Sequence, residues 1–132
     1  YESAQGQKTD YDADKLAEVK FYAAPFPELN LSAKSGVTLT GIETFDGKEA
    51  YAIKDGKKTL YYDVASGLKI GQSETEEVQG QQMTQVITFS DYKDVKGVKV
   101  AHKTALNVGI EIELNATSVK VNEGVTDADF KI

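Results

Sequence analysis

His102 is the single histidine of this chain, and there is no cysteine. Those two counts bound the chemistry. A catalytic zinc site takes three protein ligands and leaves a fourth position for water, and no H-x-x-E-H or H-E-x-x-H spacing is present. A general base needs a nucleophile or a substrate proton within hydrogen-bond reach. His102 instead stands between Lys99 and Lys103 in a stretch of alternating apolar residues, which reads as a structural or surface position. Asp10, Asp12 and Asp14 alternate, but no glycine and no distant glutamate completes a calcium loop. Glu74, Glu76 and Glu77 read as a solvated strand end, and Asp127 and Asp129 have no partner in sequence. Serines and threonines occur without G-x-S-x-G, and neither G-x-G-x-x-G nor a Walker loop is present. Asn115-Ala116-Thr117 matches a glycosylation triplet but falls inside an expected strand. The expectation is a chain without catalytic residues, metal or cofactor.

Binding potential lies in the tyrosines. Tyr61 and Tyr62 are adjacent and so point to opposite faces of a strand, while Tyr51 and Tyr92 lie on other strands. Aromatic side chains on a sheet more often pack across strands than form a ligand platform.

The elements that must position these residues change character along the chain. Residues 1–11 are polar and without pattern, a lead-in. Asp12 or Asp14 suits a helix start at the positive end of the dipole. Leu16, Val19 and Ala23 then follow at helical spacing, and Pro25 and Pro27 end the run. One helix over Ala13 to Tyr22 follows, with Phe26, Leu29 and Leu31 in an irregular link. After Gly36 the texture is strand and tight turn, with Asp46-Gly47 and Asp55-Gly56 as the clearest hairpin marks. The spacing predicts strands at Val37–Phe45, Lys48–Lys54, Lys58–Val64, Leu68–Glu77, Met83–Tyr92, Val98–Leu106 and Ile110–Val121. In the last of these the apolar phase changes between Leu114 and Val119. A bulge or bend near 115–118 restores the facing, and Gly41 is expected to act similarly.

The fold class is mainly β (α+β): a curved antiparallel sheet, an open half-barrel of about seven strands, over one N-terminal helix. The whole of 1–132 reads as one domain, with a lead-in at 1–11, helix and link at 12–35 and sheet at 36–132. A helix of about ten residues is roughly 15 Å long, whereas seven strands span nearly 5 Å each. The concave face must therefore be filled by side chains or left as an apolar groove. The more apolar phase of each strand supplies the candidates: Tyr51, Ile53, Leu60, Tyr62, Met83, Ile87, Phe89, Val98 and Val100 are the candidate ligand-binding residues, expected on the concave, helix-facing side.

Charge narrows the partners. The chain carries a net charge of -6, and its 15 positive residues are all lysines. Nucleic-acid binders usually present a basic face and use arginine for bidentate contacts, so nucleic acid is not expected as a partner. No apolar run approaches the ~20 residues of a membrane helix. The sequence opens at Tyr1, with neither initiator methionine nor signal peptide, and reads as a mature form or a domain of a longer polypeptide.

Leu39-Thr40-Gly41-Ile42-Glu43-Thr44-Phe45-Asp46-Gly47-Lys48-Glu49-Ala50-Tyr51, Leu60-Tyr61-Tyr62-Asp63-Val64-Ala65-Ser66-Gly67-Leu68-Lys69 and Phe89-Ser90-Asp91-Tyr92-Lys93-Asp94-Val95-Lys96-Gly97-Val98-Lys99-Val100 occur in succession. Val119-Lys120-Val121-Asn122, Asp127, Asp129 and Phe130 follow. This succession, over about 36–130, resembles the outer-membrane lipoprotein-sorting (LolA/LolB-like) domains, above all the version at the C-terminus of insulinase-type (pitrilysin family) zinc peptidases of Bacteroidetes. The resemblance implies an unclosed antiparallel half-barrel whose helices cover a hydrophobic cavity. It also implies the periplasm or cell envelope of a Gram-negative bacterium. Carriers of this kind shelter acyl chains and latch the lid with an arginine, which this chain lacks.

Two functions follow as expectations. The first is a non-catalytic accessory domain of an envelope zinc peptidase, with that peptidase domain or another envelope protein as partner. The second is a binding module for a lipoprotein acyl chain or another apolar ligand. Enzymatic activity of this chain itself is not expected.

Overall fold

The computed structural model describes residues 2–4, 7–24, 26–78, 80–121 and 123–130. Two compact units divide the chain, Tyr1–Val37 and Thr38–Ile132.

In the first unit, the stretch read as a patternless lead-in contains two short antiparallel strands, β1 (Glu2–Ala4) and β2 (Gln7–Thr9), in register Glu2↔Thr9 to Ala4↔Gln7. Backbone pairing of such short strands needs no apolar alternation, so sequence periodicity does not reveal it. The helix α1 spans Ala13–Tyr22, as expected. Asp12 caps it, its carboxylate accepting from the Lys15 N–H at 2.8 Å. Asp14 in the first turn and Lys20 in the last match the helix dipole. The helix closes at Ala23, whose N–H donates to Val19 O at 2.8 Å. Of the two prolines expected to stop it, Pro25 lies outside the described residues. Pro27 opens a 3-10 helix over Pro27–Ala33, where an irregular link was expected, and Leu31 is buried within it.

The second unit holds one seven-stranded antiparallel sheet in sequential order. Its strands are β3 (Val37–Phe45), β4 (Lys48–Asp55), β5 (Lys58–Asp63), β6 (Lys69–Val78), β7 (Gln81–Val95), β8 (Val98–Asn107) and β9 (Glu111–Asn115). At the β3–β4 turn Asp46 and Gly47 both take positive φ, 49° and 74°, the geometry of a two-residue turn that matches strand twist. The β4–β5 loop sits one residue later than the Asp55-Gly56 mark. Asp55 pairs with Lys58, leaving Gly56 and Lys57 as the loop; Gly56, at φ 60°, occupies the position that requires positive φ in this turn class.

Two features of the sheet differ from the expectation. β9 ends at Asn115 rather than continuing to Val121. The phase change near 115–118 therefore marks the end of the strand. The register shift falls elsewhere: Tyr61 pairs with Gly71 but Tyr62 with Lys69, so Ile70 is the extra residue of a bulge on β6.

The loop after β5 is held by Asp63, whose carboxylate accepts from both the N–H and the hydroxyl of Ser66. The Ser66 hydroxyl bond, then the Ser66 backbone bond, holds the Asp63 carboxyl below its ordinary value. A depressed folded-state value contributes stability above the unfolded value, near 3.9, that is lost as pH falls through the folded one. Ser66→Ala is expected to raise the Asp63 titration midpoint toward the ordinary value, read by carboxyl-carbon NMR; an unchanged midpoint would show that the bond does not exist in solution.

Candidate functional site

Register divides the sheet into two faces. Pairing Tyr51↔Tyr62, Ile53↔Leu60, Leu60↔Gln72, Gln72↔Ile87, Ile87↔Leu106 and Leu106↔Ile112 runs along one face. Ala52↔Tyr61, Tyr61↔Gly71, Gly71↔Thr88, Thr88↔Ala105 and Ala105↔Glu113 run along the other.

The second face is the inner one. Phe45, at the end of β3, stacks on Tyr61 of β5 with ring centroids 4.2 Å apart and an 18° interplanar angle. The same ring reaches Gly71 of β6, where an added Cβ would lie 2.3 Å from its Cε1 and Cζ. In a flat sheet β3 and β6 stand nearly 15 Å apart, beyond the reach of a phenylalanine. The sheet must curl toward this face. Small residues make the curl possible: Ala50 and Ala52 on the intervening β4 are fully buried, and Gly71 carries no side chain.

Beyond the Phe45–Tyr61 stack, a pocket of about 320 Å³ on the inner face is lined by Asp46, Val86, Thr88, Ala105, Asn107 and Glu111. The β3–β4 turn brings Asp46 to it, and β7, β8 and β9 supply the rest. Val86 and Ala105 give it an apolar floor. Asp46 and Glu111 are two carboxylates without an ion-pair partner among the described residues, and the Asn107 carboxamide oxygen accepts from the Gly109 N–H at 3.1 Å. On the same face Lys103 and Glu113 form an ion pair at 2.6 Å. That bond chiefly raises the Lys103 value, whereas Glu113 is lowered first by the Asn115 amide and then by Lys103.

The candidates read from sequence lie together, but on the outer face. Tyr51, Ile53, Leu60, Tyr62, Met83, Ile87, Phe89, Val98 and Val100 share the parity of the first register set. They were expected on the concave side, and the curl runs the other way. Alternation sorts residues into two sets without saying which set the sheet closes around. The available signal was side-chain size, since Ala50 and Ala52 alternate with Tyr51 and Ile53, and a concave face has less room. Leu60 is almost fully buried, whereas Tyr51 and Met83 are 39% and 46% exposed. The pocket residues were not singled out as a set, because they belong to the more polar phase of their strands.

Three further candidates, His102, Glu74 and Tyr92, have structural partners. His102 is buried on the outer face, its Nδ1 3.0 Å from Val100 O, an N–H donor to that carbonyl. Glu74 pairs with Lys58 at 3.8 Å across β5 and β6. The Tyr92 hydroxyl donates to the Lys69 carbonyl. Among the described residues no group of three His, Cys, Asp or Glu side chains stands close enough to hold a metal ion, and no helix is long and apolar enough to cross a membrane.

No family model and no curated protein matches the chain. Among solved structures it is similar to a domain from Vibrio parahaemolyticus that carries the name of an outer membrane lipoprotein-sorting protein, with a TM-score of 0.56 and 20% sequence identity. The match covers 71% of this chain and 45% of that one, so the chain spans under half the length of its structural neighbour. At that identity the likeness shows the fold alone: an open, seven-stranded antiparallel sheet similar to that domain's.

Proposed function

We propose that this chain is a non-catalytic accessory module of the cell envelope that works by contact with another polypeptide, either a zinc-peptidase domain of the same protein or a separate envelope protein. The observation that carries this reading is how the inner face is filled. A carrier of acyl chains needs a long, dry, apolar cavity, and dry apolar cavities are what bind such ligands. Here the Phe45–Tyr61 stack occupies the inner face over Ala50, Ala52 and Gly71. The described pocket on that face holds about 320 Å³ with two carboxylates in its lining, at the small end of the roughly 300–1,000 Å³ typical of ligand pockets. A carboxylate placed against a hydrocarbon chain loses hydration without gaining a partner.

The second reading, a binding module for an acyl chain or another apolar ligand, draws support from the fold likeness and from exposed Tyr51 and Met83 on the outer face. Titration with a fluorescent fatty acid separates the two. The expected result is no saturable binding. Adjacent residues on opposite faces locate any binding that does occur: tight, saturable uptake weakened by Ile87→Glu on the outer face, or by Val86→Glu on the inner, in variants that still fold, overturns the accessory reading in favour of the carrier.

A further inference from the structure

Strand β9 ends the sheet order, and all five of its residues are exposed. Its hydrogen-bonding phase follows from two bonds. The Ala116 N–H donates to His102 O at 2.7 Å, and the Val108 N–H to Ile110 O at 3.1 Å. In an antiparallel ladder, bonded pairs recur at every second residue, so Ile112 and Leu114 bond to β8 through Leu106 and Thr104. The N–H and C=O groups of Glu111, Glu113 and Asn115 consequently face away from the sheet. An exposed edge of this kind is a template for another strand, and proteins usually blunt one with lysine, proline or a bulge. β9 has no lysine, proline or bulge; its charges are Glu111 and Glu113, which disfavour an acidic strand and leave a basic one acceptable. It offers Ile112 and Leu114 at 40% and 62% exposure on one face and Glu111 and Glu113 on the other.

We propose that the β9 edge and the adjoining acidic pocket together receive an extended segment of a partner polypeptide in which basic and apolar residues alternate. The proposal rests on the polypeptide-contact reading above and names its surface and partner chemistry. An added antiparallel strand bonds to the outward groups of Glu111 and Glu113, as in other strand-addition complexes. Residues opposite those glutamates then point to the inner face, and the residue between them points to the side of Ile112 and Leu114. Glu113 is already engaged by Lys103 and Asn115. Glu111 makes no such bond among the described residues, although its charge also acts on Lys103, and it lines the pocket with Asp46. A lysine or arginine opposite Glu111 can lay its aliphatic stem along Val86 and Ala105 and bring its charge to both carboxylates, the division of labour natural to such side chains. A second copy of this chain fits poorly. β9 against β9 sets glutamates opposite glutamates, which destabilises a ladder, and β3, the other edge, carries Glu43 and no basic residue.

The test uses short synthetic peptides alternating lysine and valine, and the same peptides with glutamate in place of lysine. Binding is followed by calorimetry and by the amide resonances of β9. The lysine peptide is expected to bind and to shift the Glu111 and Glu113 amides, and the glutamate peptide is not. Glu111→Gln is expected to weaken binding about fivefold, the upper range for a cross-strand charge pair, and Glu111→Lys to transfer the preference to the glutamate peptide. Glu113→Pro removes an outward N–H at an edge position where proline is tolerated, so the sheet is expected to survive while binding is lost. Lysine-peptide binding that is indifferent to both Glu111→Lys and Glu113→Pro overturns the proposal. So does a dimer in sedimentation that Glu113→Pro dissolves, which assigns the edge to a second copy. Failure of the accessory reading shows separately, as fatty-acid uptake.

Discussion

Gly71→Ala is expected to lower the thermal midpoint by several degrees, and Gly71→Val to lower it further or to prevent folding. The new Cβ would stand 2.3 Å from two ring carbons of Phe45 and 2.7 Å from the Ile87 carbonyl oxygen. The ring can turn away, but the carbonyl belongs to the β7 backbone and to the ladder that pairs Gly71 with Thr88. Overpacking a well-filled site costs about 1–3 kcal/mol, and in a domain of this size each kcal/mol moves the midpoint by roughly 4 °C. A double-mutant cycle assigns the cause. Combined with Phe45→Leu, which removes the ring, Gly71→Ala should cost less than it does alone, a coupling expected of residues in contact. Strict additivity of the two substitutions would sink the claim that Phe45 closes over Gly71, and with it the direction of the curl.

Leu60→Ala is expected to have the second large effect. Leu60 is 1% exposed, sits on the interior strand β5 and pairs with Ile53 on one side and Gln72 on the other. Truncating a buried leucine removes its transfer free energy and leaves a cavity, a cost of about 2–5 kcal/mol. Leu60→Met, which nearly conserves volume, should cost under about 1.5 kcal/mol. Urea unfolding of the three proteins with a shared slope checks this. A Leu60→Ala loss as small as that of Leu60→Met would mean the site collapses freely or stands open to water. The contrast with Met83, on the same face but 46% exposed, offers a control: Met83→Ala should cost far less.

These two positions also mark where sequence reading succeeds and stops. Leu60 was legible: it lies in the apolar phase of a strand bounded by clear turns, and the strand formed there. The same local rules carried the helix over Ala13–Tyr22, with its Asp12 cap, and all seven strand starts of the large sheet to within two residues. They rest on interactions between neighbours in the chain, namely turn geometry, capping and alternation. One histidine and no cysteine exclude a thiol nucleophile and a multi-histidine metal site in any fold.

Gly71 was not legible. It takes no positive φ and marks no turn, and its importance comes from Phe45, which is distant in sequence and three strands away. The curl of the sheet belongs with it. Alternation is unchanged by exchanging the two faces, so it partitions Tyr51, Ile53, Leu60 and Tyr62 from Ala50, Ala52 and Tyr61 but does not say which set lies inside. That choice depends on the Ile70 bulge, on the small residues beneath the Phe45 ring and on the ring's reach across strands. The pocket depends on it in turn: Asp46 sits in a turn and Glu111 on the last strand, and only the closing of the sheet over its smaller side chains brings the two carboxylates to one cavity.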